Sequence, residues 1–298
     1  MINLLAMESV KMSGKIAIVV DTNSGISNEM AKELGLYIVP MPFVIDGKDY
    51  LEGVNLDGET FYKKLIEDAN ISTSQPSIGA ITEIWNEALK ENDYIIHIPM
   101  SSSLSKSCET CKMISHEDEY EGKVYIVDNR RISKTLEHCV KEAIGLIKLG
   151  KTADDVKDFL EETANDSTIY LMVDTLKYLK KGGRITPSAA LLGSLLGIRP
   201  VLQIQGGKLD SFAKCRTIKQ AKKIMLNQIK EDIKNKFNNE EVEIVFAEAF
   251  SKGEIETFKE EVKQELTNID ENIGKLSFSI ICHTGPGVIG IGCCKKHI

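Results

Sequence analysis

The stretch IGAITEIWNEALKENDYIIHI, residues 78–98, changes its hydrophobic period partway, and that change decides the fold class. In its first half Ile81, Ile84, Trp85 and Leu89 recur at spacings of three and four, the pattern of one buried helix face. Residues 94–98 are then aromatic and β-branched, which predicts a strand. Working outward, strand-like runs occur at 16–20, 124–127, 169–173, 242–246 and 276–281. A second helical stripe, through Leu136, Val140, Ile144 and Ile147, covers 132–149. Strands alternating with helices predict an α/β sheet with helical crossovers.

The rhythm changes after Gly150. Thr152 is placed to cap a charged helix over 154–164, and Thr217 to cap a long one. The long helix has an apolar face through Ile218, Ala221, Met225, Ile229, Ile233 and Phe237. At 298 residues the chain is long enough for two domains of roughly 150 residues each. The expectation is a two-domain α/β protein. Residues 1–14 form an N-terminal extension, 15–150 a parallel-sheet α/β domain, and 151–298 an α/β domain of mixed, more antiparallel character.

Charge narrows the function classes. With 37 Lys and Arg against 44 Asp and Glu, the net charge is −7. That argues against nucleic acid as a partner, which requires a basic field, but not against a small anion held by local donors. Seven cysteines, with Cys293 and Cys294 adjacent, read as reduced thiols of a cytoplasmic protein. Cys108 and Cys111 form a C-x-x-C that reads as structural thiols or a redox pair, and no second pair completes a zinc site. Residues 1–14 lack the apolar core of a secretion signal, and no run reaches the ~20 apolar residues of a membrane span. Stable membrane insertion is not expected, and neither is a metal or cofactor.

Four polar clusters stand where strands are expected to end: Asp21-Thr22-Asn23-Ser24-Gly25, Ser72-Thr73-Ser74-Gln75-Pro76-Ser77, Ser101-Ser102-Ser103-Leu104-Ser105 and His283-Thr284-Gly285-Pro286-Gly287. Each hydroxyl-rich turn alone reads as a helix cap. Together they also read as neutral donors to an anionic head group. Gly285 to Gly290 fits G-x-G-x-x-G, but too few residues follow for a dinucleotide fold, so that match is accidental. The Leu179-Lys180-Lys181-Gly182-Gly183-Arg184-Ile185 stretch reads as a solvated basic loop, or as an anion contact or docking patch. Residues 188–198, rich in Ala and Leu, read as a buried helix or the wall of an apolar tunnel.

In combination, these motifs resemble the DegV family of bacterial fatty-acid-binding proteins, from Lys15 to about Gly292. The resemblance is carried by the four clusters, by Asp174-Thr175-Leu176-Lys177-Tyr178 running into the basic stretch, and by Ala190-Leu191-Leu192-Gly193-Ser194-Leu195-Leu196. It implies a long-chain fatty acid such as palmitate bound between two domains. Its carboxylate would be held by Thr73, Ser105 and His283, with Ser74, Ser102 and Thr284 in support. It further implies that a separate ATP-dependent fatty-acid kinase phosphorylates the bound acid and docks through Arg184, so that the chain is a carrier and not itself an enzyme. Where the family usually reads LSGTY, this chain has Leu104-Ser105-Lys106-Ser107-Cys108, and Lys106 lacks the backbone freedom of glycine. The loop Asp128-Asn129-Arg130-Arg131-Ile132-Ser133 departs from the family pattern as well. Two rival readings stand beside the carrier: a serine hydrolase using Ser105, His283 and Asp21 or Asp128, without a G-x-S-x-G elbow, and a lipid-sensing regulatory module.

Overall fold

The computed structural model describes residues 14–191 and 197–298. The expected extension, apart from Gly14, and residues 192–196 of the small-residue run lie outside them. Strand β1 (Ile16–Asp21) turns Ile18 and Val20 into one core and Ala17 and Val19 into another, as a period of two requires. After a 3-10 turn at Thr22–Ser24, helix α1 (Asn28–Leu34) starts at the Ser27 cap, and β2 (Leu36–Val39) returns parallel to β1. Strands β3 (Pro42–Ile45) and β4 (Lys48–Leu51) pair as an antiparallel hairpin. Beyond α2 (Gly58–Ile66), β5 (Ile71–Thr73) joins β3 and sets Thr73 opposite Phe43.

The deciding stretch folds as its period predicts. Helix α3 (Ile78–Ala88), capped by Ser77, buries Ile81 and Trp85, and β6 (Tyr94–Ile98) pairs parallel with β1. Helix α4 (Ser107–Ser115) leads to β7 (Val124–Ile126), completing a parallel sheet of order β2-β1-β6-β7. Helix α5 (Lys134–Lys148) follows, then α6 (Ala153–Glu162), where Thr152 and Asp155 form a capping box. Helix α6 packs on β6 and β7.

The remainder forms a larger sheet, beside the parallel one and the separate three-stranded β4-β3-β5. In chain order come β8 (Ser167–Met172), α7 (Lys177–Gly182), α8 (Pro187–Leu191), β9 (Arg199–Ile204), β10 (Asp210–Cys215) and α9 (Ile218–Asn235). Then follow β11 (Val242–Ala249), α10 (Glu254–Lys263), β12 (Ile269–Lys275), α11 (Phe278–Thr284) and β13 (Val288–Lys295). The strand order is β10-β9-β8-β13-β11-β12, antiparallel except for β11 with β12, so this sheet is mixed as expected. Tyr170 and Met172 face α9, which begins at Thr217 and buries Ala221, Met225 and Ile229. Leu171 and Val173 face the other way, into the core that also holds Ile18 and Val20. One hydrophobic core therefore runs from the parallel sheet to the mixed one.

Two expectations change. Residues 276–281 are not a strand: the Ser277 hydroxyl accepts from Ile280 N at 3.3 Å and starts α11 there, while the strand lies upstream at β12. Leu276, Phe278 and Ile280 alternate with serines and imitate a strand, but the cap at Ser277 closes a helical turn instead. The basic stretch is not simply a loop, because Leu179 is buried and α7 carries Lys180 and Lys181 to a left-handed Gly183 cap. Cys108 and Cys111 are free and buried in α4; burial pushes each thiol up to about 12, which keeps both protonated and unreactive at neutral pH. Among the described residues no helix is long and apolar enough to cross a membrane, and no group of acidic, His and Cys side chains is set to hold a metal.

Candidate functional site

A cavity of about 310 Å³ lies within the shared core, a volume at the lower end of the range typical of small-molecule sites. The mixed sheet forms one wall through Ile169 and Leu171 of β8, Ile204 of β9 and Val245 of β11. On β13, Gly290 and Gly292 face it without side chains. A Cβ at Gly292 would lie 2.9 Å from Val245 Cγ2 and 3.2 Å from Thr135 Cγ2, so glycine is what lets α5 approach this sheet.

The polar groups come from the ends of elements. Thr73 closes β5 and His283 stands in the last turn of α11; Thr73 Oγ1 and His283 Nε2 are 2.8 Å apart. Burial, aided by the charge of Arg184, pushes the His283 imidazole down to about 4, so it is neutral near pH 7. Its Nδ1 is buried without a partner among the described residues and faces Gly182, where an added Cβ would sit 2.0 Å away. An unpaired lone pair there costs less than an unpaired N–H, which favours the proton on Nε2. Nε2–H then donates to Thr73 Oγ1, and the threonine O–H is left to point into the cavity.

Ser105 is prepared in the same way. Its Oγ accepts from Ser107 N at 3.1 Å, which leaves its proton free to donate. Lys106 sits at φ −79, ψ −2, an ordinary right-handed conformation, so the glycine freedom of the LSGTY pattern is not needed at this position. Arg184 lines the same end of the cavity, with Nη1 donating to Gly182 O at 2.6 Å and Nε to Leu104 O at 3.4 Å. Two hydroxyl donors and one cation beside the apolar lining have the chemistry to hold a small anionic head on an apolar tail.

Of the remaining expected residues, Ser74 and Thr284 line the cavity, but the Thr284 hydroxyl is spent on Ile280 O and Gly285 O, each at 3.3 Å. Ser102 is not among the lining residues. Its hydroxyl donates to Asp128 at 2.6 Å and its N–H to the same carboxylate, which fixes the turn after β6. This bond also removes Asp128 from any relay with His283. Asp21 is likewise engaged, accepting from Met100 N and Asn23 N, each at 2.9 Å. The hydrolase arrangement is not assembled, because His283 Nε2 is bound to Thr73 rather than to Ser105.

Sequence reasoning named Asn23 and Ser133 only within longer motifs and passed over Ser279, and all three line the cavity. Ser279 Oγ donates to Asn23 Oδ1 at 2.6 Å, and Ser133 N donates to Asn23 O at 2.8 Å. Ser277 and Ser279, two residues apart, were the available signal once the segment is read as a helix start.

Comparison with known proteins places nearly the whole chain in a family. The family model described as "Uncharacterised protein, DegV family" matches residues 15–296. A DegV domain-containing protein of Listeria innocua is 30% identical over 289 residues, covering 94% of this chain and 98% of its own. The solved structure described as fatty acid binding of a DegV family protein from Thermus thermophilus superposes with a TM-score of 0.86 at 26% identity, covering 95% of this chain and all of its own. That of DegV, a fatty acid binding protein from Bacillus subtilis, gives 0.83 at 27% identity, covering 95% of this chain and all of its own.

Proposed function

The chain belongs to the DegV family, and from that premise we propose that it binds a long-chain fatty acid such as palmitate in the cavity walled on one side by its mixed sheet. The observation that carries the proposal is the Thr73–His283 pair in a mainly apolar cavity. Thr73 and Ser105 donate hydroxyl protons to the carboxylate, neutral His283 orients Thr73, and Arg184 supplies the countercharge. Ser74 and Thr284 shape the wall, and Ser102 supports the head group only indirectly, through the turn that carries Ser105.

The magnitudes fit this division of labour. Burying a carboxylate is costly unless its lone pairs are satisfied, and charge-assisted hydrogen bonds return roughly 1.5–3 kcal/mol each. The tail gives about 0.8 kcal/mol per buried methylene, on the order of 11 kcal/mol gross for palmitate. Losses of translational and conformational freedom then offset much of that sum. The head group fixes orientation while the tail supplies affinity.

We further propose that the protein is a cytoplasmic carrier and not itself the catalyst, presenting the carboxylate to a separate ATP-dependent fatty-acid kinase with Arg184 at the point of contact. Purified protein is to be extracted with organic solvent and the extract weighed by mass spectrometry. Stoichiometric fatty acid is expected; its absence, together with no uptake of added palmitate, overturns the binding reading. At saturating palmitate, Arg184→Ala is expected to hold the acid, more weakly without its countercharge, yet lose kinase-dependent acyl-phosphate formation. Unchanged formation removes Arg184 from the contact.

A further inference from the structure

The cavity contains a second polar station that the carboxylate site leaves unexplained. Ser133, immediately before α5, lines the cavity and is only 8% exposed. Its Oγ is buried with no hydrogen-bond partner among the described residues. A serine at a helix start ordinarily turns its hydroxyl onto an amide of the first turn, but this one makes no such bond. Its backbone is at φ 55, ψ −139, a conformation that is ordinarily glycine's. The strain keeps the main chain engaged: Ser133 N donates to Asn23 O at 2.8 Å, and Ser133 O accepts from Leu136 N at 2.8 Å and Glu137 N at 3.0 Å. The side chain is thereby directed to the cavity and away from its own helix.

Its polar neighbours are already committed. The Lys134 ammonium lies 2.7 Å from Glu137 and 2.8 Å from Asp270, and the Thr135 hydroxyl donates to Ile132 O at 2.9 Å. Ser133 Oγ is the donor and acceptor left over. Among the described residues it makes no bond to Thr73, Ser105, His283 or Arg184. Ser279 lies one turn of α11, about 6 Å, from His283; Asn23 is bonded to Ser279, and Ser133 is bonded to Asn23. Ser133 is thus joined to the His283 helix only through Asn23 and Ser279, and its free hydroxyl is open to a group other than the carboxylate.

We propose that Ser133 selects fatty acids bearing an oxygen substituent, a hydroxyl or keto group, partway along the chain. This rests on the fatty-acid reading of the same cavity. A hydroxyl or carbonyl at the right carbon completes the bond that Ser133 lacks, whereas a plain methylene leaves it unmade.

The test is calorimetric titration of delipidated protein with palmitate and with monohydroxypalmitates whose hydroxyl is moved carbon by carbon along the chain. One position is expected to bind at least tenfold tighter than palmitate, equivalent to about 1.4 kcal/mol. In Ser133→Ala, which keeps the backbone and loses only Oγ, that preference is expected to collapse while palmitate affinity is retained. Should Ser133→Ala fold poorly, Ser133→Gly relieves the strain and gives the same readout. Equal binding of every isomer and palmitate, or a preference that survives both substitutions, overturns the inference. Failure of palmitate itself to bind the parent protein overturns the carrier reading instead, so the two failures are distinguishable.

Discussion

At the scale of single residues, the proposed carboxylate end depends on a missing side chain. Gly182 has room for nothing more, since a Cβ there would lie 2.0 Å from His283 Nδ1. Gly182→Ala is therefore expected to push the imidazole off Thr73 and weaken palmitate binding by more than tenfold. Gly79→Ala, at an exposed helical site with nothing within 4 Å, is the matching control and is expected to leave affinity unchanged. Equal affinities for the two variants, measured by titration, remove His283 from the head-group site. Ser133 is the opposite case, a side chain kept at a cost. An unmet buried hydroxyl and a glycine-type backbone conformation each cost about 1–3 kcal/mol. Gly182 and Arg184 were visible in the sequence as a motif, but their reason was not. It is a contact with a residue about a hundred positions away, and no local pattern encodes that.

At the scale of elements, legibility followed the range of the signals that define each one. Helix α9 was readable because its cap at Thr217 and its buried stripe lie within one stretch of chain. Helix α11 was misread because it is fixed partly from elsewhere: Glu52, at the end of the β3–β4 hairpin, accepts from Phe278 N at 2.5 Å. Burial, with a contribution from the charge of Asp21, pushes the Glu52 carboxyl up to about 7. Between its ordinary value of 4.5 and about 7 the folded chain holds a proton that the unfolded chain has released. This group's contribution to stability is therefore complete below pH 4.5 and lost as pH rises through 7. Glu52→Gln is expected to lose less stability than the parent between pH 5 and pH 7.5 in urea unfolding. Identical losses in both proteins reject the assignment. Comparing the two proteins isolates Glu52 from groups of opposite sign, such as His283, whose lowered value contributes stability that disappears as pH falls below 6.5.

At the scale of the molecule, the alternation of strands and helices made the sheet types legible, and the line between the halves turns on which sheet α6 joins. Helix α6 follows Gly150 in sequence and yet packs on β6 and β7 of the parallel sheet. We therefore propose that the division falls at residues 163–166, after α6, instead of at 150. The amphipathic pattern of α6 showed that it buries a face, without showing which sheet receives it. Because Ile18, Val20, Leu171 and Val173 share one core, the halves are expected to unfold together. Calorimetry should give a single transition, shifted upward by saturating palmitate through about 2.7 kcal/mol at a hundredfold excess over Kd. Two separated transitions, or a midpoint insensitive to palmitate, contradict the shared core and its ligand.

The seven cysteines acquire a practical meaning from this arrangement. Six are buried, and Cys282, next to His283 on α11, alone keeps part of its surface in water. Burial pushes its thiol up to about 12, so alkylating reagents meet a protonated and slow target while α11 is seated. Lifting that helix from its anchor at Glu52 rehydrates the thiol. The molecule thus contains its own chemical clock, in which the rate of adduct formation at one sulfur records how often the ligand end of the cavity is undone.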